Sequence, residues 1–378
     1  MTANPIYLDH NATTPLLPEV VEAMLPYLRE HFGNPSSSHI FGLRARNAVH
    51  RAREQVALLI GAEPDEVIFT SGGTEANNLA IRGVADASDR RQVVTTTIEH
   101  PATARPCAWL EKHGRRVVRV SVDGEGRTRL DEAGRAIGGD TALVAVMHSN
   151  NETGVLQPIG DLAAMAHAAG ALMFSDAAQS IGKVLVSVRK LDVDLLSIAG
   201  HKLYAPKGVG ALYVKRGTPI VPLVLGASHE RGLRPGTENV ASIVGLGAAC
   251  DAVSRDLEVV LARLTALRDR LWALLQADVP GLVLNGHEEL RLPNTLNVRF
   301  PRASGNAVLE GAPEIAASTG SACHEGQENA SAVILAMGVA PEEALGSVRL
   351  TLGRSTTERD VTEAATVLVR SWRSLARP

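Results

Sequence analysis

Cysteine is scarce in this 378-residue chain: there are three, Cys107, Cys250 and Cys323, with no CxxC or CxxH spacing. So small and dispersed a set excludes a disulfide framework and a zinc-type metal site, and it fits a reducing, cytoplasmic setting. Aromatic residues make up only 3% against 45% hydrophobic residues, so the core must be built from Ala, Val, Leu and Ile. Neither sign of charge is in surplus, the formal net charge being -3. That excludes a basic face for nucleic acid and an acidic tail, and it leaves a small molecule as the expected partner. No stretch approaches the roughly 18 apolar residues of a membrane span, and the MTANPIYLDH start lacks the basic and apolar regions of a secretory signal. No membrane partner is expected.

From Glu66 to about Arg216, short apolar runs alternate with longer amphipathic ones, which predicts an α/β core with a mostly parallel sheet. Seven strands are expected, at Val67–Thr70, Gln92–Thr96, Val117–Ser121, Leu143–Met147, Leu172–Ser175, Leu195–Ile198 and Gly210–Val214. Helices are expected at Glu75–Ala85, Thr103–Lys112 and Ile159–Ala169, where apolar residues recur at three- and four-residue spacing. One long helical run, Ala241–Gln276, then leads to a smaller α+β part with strands at Leu282–Leu284 and Leu296–Phe300 and helices at Ser331–Met337 and Glu358–Ala376. The expected division is a large domain of residues 15–250 and a small one of residues 1–14 with 251–378.

In open α/β sheets ligands lie outside the carboxyl ends of the strands, so the residues just beyond each strand carry the chemistry. The first strand runs into SGGTEANN (71–78), a glycine turn opening a helix whose free N–H groups and dipole suit an anion. Ordinary helix capping gives the same pattern. FSDAAQS (174–180) ends a strand with Asp176, a carboxylate that needs a cationic partner if buried, and a protonated pyridine nitrogen would serve. An N-cap role accounts for that residue equally well. SIAGHKLYAPKG (197–208) holds Lys202 in a loop after another strand, a candidate Schiff-base amine. A lysine met alone is ordinarily a solvated surface side chain. Here the same sheet edge supplies the anion cradle and the carboxylate as well.

With these segments the chain resembles the cysteine desulfurases, which with the selenocysteine lyases are fold-type I, class V aminotransferase-like enzymes. The resemblance runs through YLDHNATTP (7–15), FGNPSS (32–37), GGTEANN (72–78), TIEH (97–100), HSNNETG (148–154), FSDAAQS, AGHK (199–202), RPGTEN (234–239), TGSACHEG (319–326) and VRLTLGRSTTE (348–358), in the family's order. It implies pyridoxal 5'-phosphate held by Lys202, with His100 stacked on the ring, Asp176 at the ring nitrogen and Gln179 donating to the phenolic oxygen. It also implies that Asn151 lies beside that oxygen and the substrate carboxylate. Gly73, Thr74 and His201 would hold the phosphate, and Thr237 would reach the phosphate of a neighbouring subunit in a homodimer with shared sites. Arg349 would bind the substrate carboxylate as a bidentate fork.

Cys323 decides the reaction that the resemblance implies: its thiolate would take sulfur from L-cysteine as a persulfide, release L-alanine and pass the sulfur to an acceptor protein. A loop cysteine without a lowered pKa is inert, and His324 beside it is suggestive only. Cys107 and Cys250 sit in helical, partly apolar contexts as core fillers. Two departures from the family pattern stand out. Ala199 stands where a hydroxyl commonly helps bind phosphate, and HEGQENAS (324–331) follows the cysteine. The Ala-Cys-His triplet, RPGTEN and LGRSTT are also similar to selenocysteine lyases, so release of selenide from L-selenocysteine is the alternative activity. A class V aminotransferase, which needs no loop cysteine, and a scaffold without chemistry stand further off. The acceptor and its pathway, iron–sulfur assembly among others, stay open.

Overall fold

The computed structural model describes residues 4–320 and 329–376. Seven strands form one sheet in the spatial order Val67–Thr70, Gly210–Val214, Leu195–Ala199, Leu172–Asp176, Thr141–Ala145, Gln92–Thr96, Arg116–Val120. Gly210–Val214 is antiparallel to both its neighbours, and the remaining strand pairs are parallel. This is the mostly parallel α/β sheet that the alternating pattern predicts.

The inner strands Thr141–Ala145, Leu195–Ala199 and Gly210–Val214 are buried along their whole length, and successive residues feed opposite cores. Leu143 and Ala145 join Leu79, Ala80, Cys107 and Leu110 from the helices Gly73–Asp86 and Pro101–Lys112. Val144 joins the opposite face, under the helices Ile40–Ile60, Ile159–Ala168 and Val240–Arg255. A further core gathers Leu8, Leu264, Leu271, Leu296, Val348, Leu368 and Trp372. Its antiparallel strands Ser347–Thr351, Thr295–Arg299 and Val283–Leu284 are backed by the helices Leu257–Asp278 and Glu358–Leu375.

One expectation needs correction. The run predicted as a single helix over Ala241–Gln276 is two helices, Val240–Arg255 and Leu257–Asp278, broken at Asp256 (φ -134°, ψ 19°). Cys250, Val253 and Leu257 pack into the core under the large sheet, whereas Val260 and Leu264 pack into the other core. A straight helix cannot serve both. Arg354 holds the bend, its guanidinium donating to both Asp256 oxygens at 2.6 and 2.9 Å.

The antiparallel strand also draws two loops together. Gly210 stands opposite Thr70 on one side and Ala199 on the other, so the segments leaving those two strand ends share one edge. A Cβ at Gly210 would fall 2.4 Å from the Ile198 carbonyl oxygen and 2.7 Å from the Gly72 Cα. Only glycine lets the three backbones approach so closely.

Candidate active site

At the carboxyl ends of the parallel strands lies a cavity of about 410 Å³, and most of the residues singled out from the sequence line it. Gly73 and Thr74 reach it from the first turn of the helix after Val67–Thr70. Gly72 precedes them at φ +148°, a conformation that other residues rarely adopt, and no side chain caps the helix there. His100, Asn151, Asp176, Gln179, His201, Lys202 and Arg349, also singled out from the sequence, line the same cavity. Thr237 is exposed and lies outside its lining. Cys323 falls outside the described residues.

Asp176 is the last residue of its strand and is buried. One carboxylate oxygen accepts from Asn77 Nδ2 at 2.6 Å, and the other from the Ala178 N–H at 3.0 Å and Ser197 Oγ at 3.3 Å. The N-cap reading needs correction, because a turn and not a helix follows this residue. The carboxylate is held by neutral donors while facing the cavity, an arrangement that suits a cation arriving with a ligand.

Lys202 ends a short 3₁₀ turn, Gly200–Lys202, directly after the strand Leu195–Ala199. Its Nζ donates to the backbone carbonyls of Asn11 and Ala12, both at 2.6 Å. Burial first, and then the Arg349 charge, bring its pKa down to about 8, against the opposing pull of Asp9 and Asp176. Near physiological pH the neutral, nucleophilic form of this amine is therefore a minor but substantial fraction, far above that of an ordinary lysine.

The two histidines are neutral for related reasons. Burial, with Lys202 nearby, lowers His100, although Asp176 pulls the other way. His100 Nδ1 accepts the Ala102 N–H at 3.1 Å, so the ring proton resides on Nε2. Burial and three lysines, Lys202, Lys207 and Lys183, hold His201 at about 4.

Arg349 comes from the far side, on the strand Ser347–Thr351 of the other core. Its Nη2 donates to Asp9 Oδ1 at 2.8 Å and its Nη1 to the Asn151 carbonyl at 3.0 Å. Buried Nε has no hydrogen-bond partner among the described residues. A buried guanidinium with a donor left over suits a carboxylate ligand.

Sequence reasoning missed the residue at the centre of this wall. Asn11 lies within the YLDHNATTP segment, which carried the resemblance without assigning it a part. Its carbonyl accepts Lys202 Nζ and also Gln179 Nε2 at 2.9 Å, and its side-chain Oδ1 accepts from Lys183 Nζ at 2.9 Å. The only available signal was a cluster of polar residues after a short apolar run. Ser149 also lines the cavity unforeseen, its hydroxyl bonded to that of Ser180 at 2.6 Å. The other two cysteines are inert, since burial pushes both Cys107 and Cys250 up to about 12.

The model of the class-V aminotransferase family matches residues 6–363. The chain belongs to that family. A cysteine desulfurase of Trichormus azollae is 45% identical over 366 residues, covering 96% of this chain and 92% of that protein. Among solved structures, a NifS-like protein superposes with a TM-score of 0.91 at 36% identity, covering 97% of this chain and 98% of that one. The structure of SspA in complex with cysteine superposes with a TM-score of 0.81 at 34% identity, covering 92% and 98%. Class-V aminotransferases and cysteine desulfurases depend on pyridoxal phosphate. The donor set fits that group: a primary amine of lowered pKa and, among the described residues, a buried carboxylate without a cationic partner and a helix start that no side chain caps.

Proposed function

We propose that this protein is a pyridoxal-phosphate-dependent cysteine desulfurase that converts L-cysteine to L-alanine, collects the sulfur as a persulfide on Cys323 and delivers it to an acceptor protein. The observation that carries the reading is the convergence of Lys202, Asp176 and Arg349 on one cavity, from a sheet and a second core. The relatives' names support the choice of cysteine.

In this reading Lys202 would hold the cofactor covalently, Asp176 would pair with its ring nitrogen, and the amides at Gly73 and Thr74 with His201 would take its phosphate. When bound, the cofactor supplies an electron sink that stabilises negative charge at the substrate's α-carbon. Arg349 exchanges its Asp9 contact for the substrate carboxylate and, with Asn151, sets the orientation of the Cα bonds. The neutral Lys202 amine and His100 are within the same cavity to accept and return the α-proton. The Cys323 thiolate attacks the substrate sulfur, a new S–S bond forms, and the C–S bond breaks with its electron pair left on carbon. Protonation of that carbon completes alanine.

Residues 15–250 would form the cofactor-holding domain, and residues 1–14 with 251–378 the smaller one. Thr237 is exposed, which suits a contact with the phosphate of a second subunit in a homodimer. No helix among the described residues is long and apolar enough to cross a membrane, in keeping with a cytoplasmic enzyme.

Replacing Cys323 with Ala should abolish alanine and sulfide production from L-cysteine and leave the cofactor's visible absorbance intact. Wild-type desulfuration by that variant would overturn the persulfide route. Strong preference for L-selenocysteine in side-by-side turnover would overturn the choice of substrate.

A further inference from the structure

Four residues after Gln179 stands a second lysine. Lys183 is only 6% exposed, and its Nζ donates to Gln179 Oε1 at 2.7 Å and to Asn11 Oδ1 at 2.9 Å. Both partners are neutral amide oxygens. A buried lysine is costly without a paired anion, and burial, Lys202 and Arg349 together hold its pKa well below the ordinary lysine value.

What this lysine does to its neighbours follows from donor and acceptor rules. Its two N–H groups point at the amides, so each amide must present oxygen to it. For Gln179 that turns Nε2 the other way, to the Asn11 carbonyl at 2.9 Å, the same oxygen that accepts Lys202 Nζ at 2.6 Å. For Asn11 it turns Nδ2 toward the Asn151 carbonyl at 3.3 Å and Thr295 Oγ1 at 2.9 Å. An amide can be reversed at little cost in shape, and only its hydrogen-bond partners decide which end faces the site. Lys183 supplies that decision from behind.

We propose that Lys183 is a positioning residue, whose amine fixes the Gln179 amide so that Nε2 and not Oε1 is presented to the phenolic oxygen of the cofactor. The inference rests on the reading of Gln179 as the donor to that oxygen. Without Lys183 the Oε1 atom loses its donor in a buried setting, and the amide orientation is no longer enforced.

The test reads the pH midpoint of the visible absorbance of the reconstituted holoenzyme without substrate. A donor to the ring oxygen draws charge from it, so the proton shared with the lysine nitrogen is held less tightly. Losing the donor therefore moves the midpoint to higher pH, by about 1 unit for a hydrogen bond to a charged group. The other charged or titratable groups around Lys202, namely Asp9, Asp176, Arg349, His100 and His201, stay the same in every variant.

Gln179→Leu should raise the midpoint, Lys183→Met should raise it by a similar amount, and the double variant should go no higher than Gln179→Leu alone. Loss of a nearby positive charge would also raise the midpoint, but by the same increment in either background. An unmoved midpoint in Lys183→Met, or a double variant showing the sum of the two shifts, overturns the proposal. An unmoved Gln179→Leu overturns the reading of Gln179 and the proposal with it. Should Lys183→Met not fold, Lys183→Leu takes its place in the same cycle: a raised midpoint that adds nothing in the Gln179→Leu background supports the proposal, and an unmoved midpoint or a summed shift sinks it.

Discussion

The cavity has two walls of different origin. One is the carboxyl edge of the large sheet, where Thr74, His100, Asp176 and Lys202 each stand within a few residues of a strand end. The other is assembled from Asn11, Asn151 and Arg349, and Arg349 reaches Asp9 across 340 positions of sequence. The first wall is made by local order, the second by the packing of one core against another. In the proposed reading the first carries the groups for the cofactor, and the second those for the substrate.

The largest effect should come from the sheet wall. Replacing Lys202 with Ala removes both the covalent hold and an amine poised to move a proton, so alanine formation should fall by roughly 10³-fold or more. A variant that kept even a tenth of the wild-type rate would mean that the amine is dispensable. Arg349→Gln tests the other wall. Loss of a charge-assisted pair to the substrate carboxylate removes about 1.5–3 kcal/mol, or roughly 10- to 100-fold in kcat/KM, mostly through KM. Cofactor content should be unchanged. If instead the cofactor is lost and KM stays, the division of labour between the walls is wrong.

Legibility in the sequence follows the same division. The strands Val67–Thr70, Gln92–Thr96 and Gly210–Val214 lie where apolar runs predicted them. Lys202 and Asp176 could be found because a polar residue just past such a run has a definite place on the sheet edge. The strand expected at Leu143–Met147 is instead Thr141–Ala145, because the Met147 N–H leaves the ladder and donates to the Glu99 carboxylate at 3.0 and 3.1 Å. The helix Ile40–Ile60 went unforeseen although Ala45, Ala48, Val49, Ala52, Val56 and Ile60 bury one of its faces. Alanines make a weak apolar stripe. Nothing local marks Asn11 as the acceptor for Lys202, or Lys183 as the partner of Gln179 and Asn11. Those relations exist only once the chain has folded.

The two walls also meet in one electrostatic effect. Arg349, from the second, is the largest charge cause lowering the Lys202 pKa to about 8. Only the neutral amine captures the cofactor aldehyde, so the capture rate of cofactor-free protein should climb with pH and level off near 8. An ordinary lysine would continue to gain toward about 10.4. Stopped-flow absorbance against pH measures this directly. Because Arg349 contributes to the lowering, the plateau in Arg349→Gln should move to higher pH. A plateau unmoved by that change would separate the walls electrostatically.

The smallest effect concerns Ala199, the last residue of its strand, which lines the cavity beside the helix start. A Cβ built on Gly73 would lie 3.3 Å from the Ala199 methyl, so this position and the proposed phosphate cradle are immediate neighbours. A serine there would add one hydroxyl at the cavity wall with little change in volume. A net hydrogen bond of about 0.5–1.5 kcal/mol should tighten cofactor binding by roughly two- to tenfold. The covalent link through Lys202 would mask so small a gain, so the comparison belongs in a Lys202→Ala background, read by titration of non-covalently bound pyridoxal phosphate. Unchanged or weaker binding would show that the phosphate does not lie against the Ala199 strand end, and the cradle would then have to be sought along the helix from Thr74 alone.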